Sequence, residues 1–111
     1  MESTRQQKIS RLLQKDLGVI FQQESRNLFD GALITVTKVQ VSKDLAIAKV
    51  FLSLFLTANK QALLEKIRHH GREIRHILAQ RINQQLRVMP ELHFFLDDSL
   101  DYIENIDQLL K

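Results

Sequence analysis

The chain has 111 residues, 44% of them hydrophobic and 26% charged, with three Gly, one Pro and neither Cys nor Trp. This composition predicts a single domain over residues 1–111, and it excludes a disordered chain, a disulfide scaffold and a zinc site built on cysteines. The formal net charge of +3 is the sum of +8 over residues 1–90, which hold 15 Lys and Arg against 7 Asp and Glu, and −5 over residues 91–111, which hold 1 against 6.

The helical period of the apolar residues predicts a first helix over residues 4–27. Thr4 with Gln7 three residues later matches a capping box, in which each side chain bonds the backbone N–H of the other residue. Asp30 and Gly31 follow the helix and supply turn chemistry before the next element.

Two strands are predicted next. Residues 32–41 are rich in β-branched side chains, and residues 46–56 alternate between two faces, one of which is uniformly apolar. The turn at residues 42–44 is so short that the two strands are expected to pair as an antiparallel hairpin.

A second long helix is predicted from Thr57 or Asn59, either of which can cap it, to about Leu86. Gly71 lies in its middle, where glycine costs about 0.5–1 kcal/mol relative to alanine. We therefore expect a kink at this glycine or the close approach of a partner. Pro90 lies beyond the end of the helical pattern.

Residues 92–97 predict a third strand, which is reached through a helical crossover, and Ser99 caps a short last helix. The complete order is α-β-β-α-β-α. This order predicts an α+β fold in which helices cover one face of a three-stranded sheet.

Residues that could carry catalysis or bind a metal do not form a recognisable site. The sequence holds no Gly-rich phosphate loop, no nucleophile elbow and no Ser/His/Asp arrangement. His69 and His76 could share a helix face, but that spacing alone does not make a metal site. His93 and Asp97 would share a strand face about 13 Å apart, which is a poor acid–base geometry. We therefore predict no enzyme activity, no catalytic residue, no metal and no cofactor.

Basic residues are concentrated on the two long helices. The second helix carries five Arg and two Lys against two Glu, and Arg suits phosphate because its guanidinium donates two parallel hydrogen bonds. Such a run can also be a solvated surface, but binding to a phosphate backbone needs a stripe of this kind. Without Trp, and with Phe mainly in apolar strand patterns typical of a core, folded RNA is favoured over stacked single strands. The predicted RNA contacts are Arg5, Lys8, Arg11, Lys43, Lys49, Arg72, Arg75, Arg81 and Arg87.

The acidic C-terminal residues have two interpretations. Asp98 and Asp101 lie near the start of the predicted last helix, where negative charge suits the helix dipole. Alternatively, the acidic segment repels RNA on one side and so orients the basic surface.

A protein-interaction module of the same fold is the alternative function. It would hold a partner protein through an exposed apolar strip, either the strand edge around Val39–Val41 or the helix Tyr102–Leu110. An association that survives RNase treatment would favour this alternative.

Two motifs resemble the ribosome-binding factor A family, and the likeness covers almost the whole chain. Val41–Leu45 followed by Ala48–Val50 and Ser53 is similar to the hairpin of that family, VS.DL..AKV..S. Leu86–Phe94 followed by Asp97–Leu100 is similar to its second signature, lR..PeL.F..D.SL.

The resemblance implies a type II KH-like fold, α-β-β-α-β, with a helix kink that corresponds to Gly71. It also implies a bacterial assembly factor that binds 16S rRNA in the free 30S ribosomal subunit and assists late maturation and 5′-end processing of that rRNA. Importance at low temperature and a GTPase that helps release the factor are further implications. We expect a cytoplasmic protein with no membrane partner, because neither a signal peptide nor a membrane-spanning stretch is evident. We also expect a monomer.

Overall fold

The computed structural model describes residues 3–82, 85–86 and 89–97. Six elements follow one another: α1 (Thr4–Leu28), β1 (Leu33–Val41), β2 (Ile47–Phe55), α2 (Lys60–His69), α3 (Gly71–Ile82) and β3 (Glu91–Leu96). The predicted α+β class is confirmed, and the predicted first helix and three strands agree with the observed ones to within one residue at each end. The predicted last helix from Ser99 lies outside the described residues.

The sheet is mixed, with β2 in the centre. β1 and β2 form the predicted antiparallel hairpin, and β3 pairs with β2 in parallel. Parallel pairing requires a crossover connection, which α2 and α3 supply. Thr37 forms a β-bulge in β1, where the register against β2 shifts between Val36 and Lys38.

Alternate strand residues enter a core between the sheet and the helices. On β2, Ala48, Val50 and Leu52 are fully buried, and they join one apolar cluster with side chains from all three described helices. Full burial of an apolar side chain of this size contributes roughly 1.5–3 kcal/mol relative to exposure. The largest contribution from a helix comes from α1: Ile9, Leu13, Leu17, Ile20 and Phe21.

α1 begins with a capping box that lies one residue before the predicted one. Ser3 Oγ accepts the backbone N–H of Gln6 at 3.1 Å, and Gln6 Oε1 accepts the backbone N–H of Ser3 at 2.8 Å. The predicted box of Thr4 with Gln7 was wrong. Ser3 with Gln6 matches the same sequence pattern, and only the Ser3 pair has a glutamine that also bonds the sheet. Gln6 Nε2 donates to Val41 O of β1 at 2.9 Å.

The predicted second long helix is two helices, α2 and α3, divided at His70. The His70 N–H still donates to the Lys66 and Ile67 carbonyls at 3.1 Å, and Ile74 N donates to His70 O at 3.0 Å. α3 ends at Ile82 rather than near Leu86, since residue 85 already lies in a turn. The division lies directly before the glycine at which a kink was predicted, and the predicted helix end was wrong.

An aromatic cluster lies beside this break. The Phe21 ring lies 5.9 Å from that of Phe29 and 6.1 Å from that of Phe94, measured between centroids. The His70 ring packs edge-on against Phe29 at 5.8 Å. Gly71 faces the Phe94 ring, and an added Cβ would lie 4.0 Å from it, which is an ordinary van der Waals contact.

Side chains of α1 bond the backbone carbonyls of the edge strand β1. Gln14 Nε2 donates to Val36 O at 3.2 Å, and Ser25 Oγ donates to Ala32 O at 2.6 Å just before the strand. Gln6 makes the third such bond, described above. These bonds satisfy carbonyls of an edge strand, which otherwise invites pairing with another chain.

Arginines of α2 and α3 do the same for β3, the other edge strand. Arg68 donates to Phe94 O through Nε and Nη2, at 3.1 and 2.7 Å. Arg75 Nη2 donates to Met89 O at 2.9 Å, and its Nε donates to Pro90 O at 3.3 Å. The chain leading into β3 is thus held by a side chain from the first half of α3.

Two glycines should respond in opposite ways to alanine substitution. Gly71→Ala should leave stability unchanged or raise it by about 0.5–1 kcal/mol, because alanine favours helix and its Cβ has room beside Phe94. Gly31→Ala should lower stability by about 1–2 kcal/mol, because Gly31 has φ +78°. Urea denaturation of both variants checks this, and a Gly71→Ala loss as large as that of Gly31→Ala would contradict the account of the kink.

Candidate nucleic-acid interface

Cations form an exposed stripe along α1. Lys8, Arg11 and Lys15 recur every three or four residues and are exposed, on the side of the helix opposite the buried Leu13 and Leu17. Spacing of this kind places the three side chains one above another along the helix.

The β1–β2 turn is held rigidly by its own polar groups. Ser42 Oγ accepts the backbone N–H groups of Ala46 and Ile47, at 3.1 and 3.0 Å, and donates to Asp44 Oδ1 at 2.7 Å. Leu45 takes a φ of 63°, an uncommon value for a branched residue, and its N–H donates to Ser42 O. Lys43 is exposed at the tip of this turn.

The carboxylate of Asp44 is ionised at neutral pH. Its hydrogen bond from the Ser42 hydroxyl, and then that from the Ala46 N–H, hold the pKa of Asp44 below its usual 3.8. Since the pKa is lowered in the folded state, this carboxylate supports the turn above pH 3.8 and loses that contribution as the pH falls below it.

The start of α1 lies beside this turn. A cavity of about 330 Å³ is lined by Arg5 and Ile9 from α1, by Asp44 and its two following residues from the turn, and by Leu86 and Pro90. The cations of α1 and the turn therefore lie at neighbouring positions. We call the following five residues the amino-terminal basic surface: Arg5, Lys8, Arg11, Lys15 and Lys43.

All five side chains of the amino-terminal basic surface are exposed. Within the described ranges, none of them makes a side-chain hydrogen bond or ion pair. Asp44 is the acidic group that shares the cavity with Arg5, and it is bonded within its own turn. The surface therefore offers cations that have no competing internal acceptor.

Cations of α2 and α3, by contrast, are mostly occupied. Lys66 Nζ lies 2.9 Å from Asp30 Oδ2, and Arg81 Nη2 lies 3.1 Å from Asp16 Oδ1, which joins α3 to α1. Arg68 and Arg75 bond backbone carbonyls, as described above. Arg72 is exposed and makes no such bond to any described side chain or carbonyl. Of the predicted contacts on α3, Arg72 is therefore available to bind phosphate, whereas Arg75 and Arg81 already have internal partners.

Lys49 lies on a different surface from the other predicted contacts that the structure describes. It is on the face of the sheet opposite the helices, which we call the open face. Phe51 and Phe95 lie on the open face too, so the expectation that the Phe residues belong mainly to the core was wrong for these side chains. The open face consists of Leu33, Thr35, Lys38 and Gln40 of β1, Ile47, Lys49, Phe51, Ser53 and Phe55 of β2, and Glu91, His93 and Phe95 of β3.

Other predicted residues are placed as follows. Arg87 and the helix Tyr102–Leu110 lie outside the described residues. The strand edge proposed for a protein partner was wrong, because Val39 and Val41 are only 5% and 3% exposed. The large apolar residues that are exposed in the described part of the chain are Leu33, Ile47 and Leu56.

Histidines and carboxylates are engaged in separate local contacts. His93 Nε2 lies 3.7 Å from Glu91 Oε1, while Asp97 Oδ2 accepts the Thr37 hydroxyl at 2.5 Å. Among the described residues, no three His, Asp or Glu side chains are grouped to hold a metal ion. The helices described here include none that is long and apolar enough to cross a bilayer.

Comparison with known proteins gives a consistent result. A family model for ribosome-binding factor A matches residues 5–110. A ribosome-binding factor A from Cytophaga hutchinsonii is 46% identical over 110 residues, which is 99% of this chain and 83% of the relative. This chain belongs to the ribosome-binding factor A family.

Solved structures of the family have the same fold. The crystal structure of ribosome-binding factor A from Thermus thermophilus aligns with a TM-score of 0.68 at 22% identity, over 82% of this chain and 94% of that chain. A homology model of the Thermus thermophilus factor, fitted into a cryo-EM map of a 30S complex, aligns with a TM-score of 0.61 at 27% identity. That alignment covers 78% of this chain and 89% of the other.

Replacing the occupied arginines should cost stability, whereas replacing an available one should not. Arg75→Ala and Arg81→Ala should each lower the free energy of unfolding by about 1–3 kcal/mol, because they leave the part-buried acceptors Pro90 O and Asp16 Oδ1 without a charged donor. Arg72→Ala is the matched control and should change it by less than about 0.5 kcal/mol. Equal effects for all three variants in urea denaturation would contradict this division.

Proposed function

We propose that this protein binds the small (30S) ribosomal subunit through 16S rRNA and assists late maturation and 5′-end processing of that rRNA. Membership of the ribosome-binding factor A family supports the proposal, as does the fold shared with a Thermus thermophilus factor fitted into a 30S complex. The whole chain acts as one KH-like rRNA-binding domain and as a binding factor, not as an enzyme.

The amino-terminal basic surface is the observation that carries the proposal. Its five cations come from two segments that meet at one end of the molecule. A cation without an internal partner can neutralise a phosphate at no cost to the fold, and each neutralised phosphate releases a condensed counterion. Folded RNA presents phosphates at regular spacing, so a rigid turn beside a straight helix fits recognition by shape and backbone.

The predicted contacts contribute unequally in this proposal. Arg5, Lys8, Arg11 and Lys43 bind phosphate directly, and Arg72 extends the contact along α3. Arg75 and Arg81 have a mainly structural role, since their guanidinium groups already donate to internal acceptors. Two further predicted contacts stay in the proposal: Lys49 on the open face and Arg87.

The remaining parts of the proposal concern the setting in the cell. The protein works in the cytoplasm as a monomer, and its contribution matters most at low temperature. A GTPase releases it from the matured subunit. These statements rest on family membership.

Binding to purified small subunits should depend on the amino-terminal basic surface. Lys8→Gln/Lys43→Gln should weaken binding and lower the slope of log K against log salt by about one to two units. Arg26→Gln/Lys66→Gln removes the same charge outside this surface, at one exposed and one half-buried position, and is the matched control, with an unchanged slope expected. A flat salt dependence of the wild type, or equal slopes for both double variants, would exclude this surface as the phosphate-binding site.

The maturation role is tested in the cell. A strain that lacks the protein should accumulate free small subunits with unprocessed 16S rRNA 5′ ends at low temperature, seen on sucrose gradients. Wild-type protein should restore the profile, and Lys8→Gln/Lys43→Gln should restore it less well. A normal profile in the deletion strain would contradict the proposal, and an association that survives RNase would favour a protein partner.

A further inference from the structure

The open face of the sheet carries aromatic rings among cations. Strand register aligns its residues into rows across all three strands, and side chains within a row are nearest neighbours. The two central rows, from β1 to β3, are Lys38–Phe51–Phe95 and Gln40–Lys49–His93.

The two rings of the first row lie side by side. The centroids of Phe51 and Phe95 are 5.7 Å apart and their planes are inclined by 30°. Both residues are only half-buried, so each ring keeps part of its surface in contact with solvent. The Arg68 guanidinium carbon lies 5.9 Å from the Phe95 centroid, and its bonds to Phe94 O hold it there.

Two lysines and two carboxylates surround these rings. Lys38 and Lys49 are exposed, and neither makes a side-chain bond to a residue that the structure describes. Two carboxylates border the same face: Glu91 is exposed, 3.7 Å from a β3 histidine and two rows away from the rings, and Asp97 accepts the Thr37 hydroxyl. The rings are therefore flanked by cations that are available to an anionic partner.

We propose that the open face binds unpaired RNA nucleotides, with bases stacked on Phe51 and Phe95 and phosphates at Lys38 and Lys49. This rests on the proposed function, because rRNA is the partner inferred above, but it uses another surface and another chemistry. The amino-terminal basic surface binds backbone phosphates by charge and shape, whereas the open face holds single-stranded bases by stacking.

The composition of the open face favours RNA over a protein partner. The water-facing side of a sheet is usually polar, so two half-buried phenylalanines in register across β2 and β3 mark this face as a candidate binding surface. A protein interface needs a continuous apolar patch of several hundred Å². The other apolar side chains of this face, Leu33 with Phe55 at one end and Ile47 at the other, are separated from the two rings by the polar rows Thr35–Ser53 and Gln40–Lys49–His93. Two rings bordered by lysines match a single strand, which needs one aromatic surface for each base and one cation for each phosphate.

Fluorescence anisotropy with a labelled single-stranded RNA of about 12 nucleotides tests the stacking directly. Phe51→Thr/Phe95→Thr removes both rings but keeps residues that favour strands, and it should weaken binding by at least about tenfold. Phe51→Tyr/Phe95→Tyr keeps both rings and should bind within about twofold of wild type. Unchanged affinity of the Thr variant, or no binding of this RNA by the wild type, would overturn the inference.

A second variant keeps the inference testable if the Thr variant fails to fold. Lys38→Gln/Lys49→Gln changes only exposed side chains, so the fold should persist. It should weaken binding of the same RNA and lower the salt slope by about one to two units. An unchanged slope would overturn the inference.

The outcomes also separate this inference from the proposed function. If the wild type binds small subunits and the Thr variant binds the short RNA as well as the wild type does, the open-face inference fails and the proposed function stands. If binding of the short RNA depends on the rings but the wild type does not bind small subunits, the proposed function fails. Crosslinks from the open face to a ribosomal protein instead of RNA would also overturn the inference.

Discussion

Burial of one apolar core between the sheet and the helices holds this fold together, and hydrogen bonds from helix side chains to the two edge strands orient the helices on it. A three-stranded sheet has two edges at which backbone carbonyls lack a strand partner. Gln6 and Gln14 of α1 bond carbonyls of β1, while Arg68 and Arg75 bond carbonyls at β3 and just before it. The apolar sides of the helices share one core with alternate strand residues, these bonds tie the helices to the sheet edges, and the opposite face of the sheet stays open.

The same bonds decide which cations remain available to a partner. Arg68 and Arg75 donate to carbonyls, and Arg81 closes the α1–α3 contact on Asp16, so much of the positive charge of α2 and α3 supports the fold. The available cations lie on α1, on the β1–β2 turn and on the open face, together with Arg72 on α3. A net charge of +8 over residues 1–90 thus divides into a structural part and a part that can meet phosphate.

Local patterns predict most of the fold and only part of the site. Alternation along β2 predicts Val50 in the core and Phe51 on the opposite face, as observed. Phe94 and Phe95 are consecutive in a strand and so point to opposite faces, a signal that composition alone does not reveal. Which arginines are occupied could not be predicted, because Arg75 bonds carbonyls 14 and 15 residues away whose position depends on how α3 packs against β3.

Chemical footprinting of lysines in the complex with purified small subunits tests the central claim most directly. Acetylation of Lys8 and Lys43 should be suppressed when the subunit is bound, because both would lie against phosphates. Lys66, which pairs with Asp30 away from this surface, should react as it does in the free protein. Suppression at Lys66 with unchanged reactivity at Lys8 and Lys43 would contradict the assignment of the amino-terminal basic surface to rRNA.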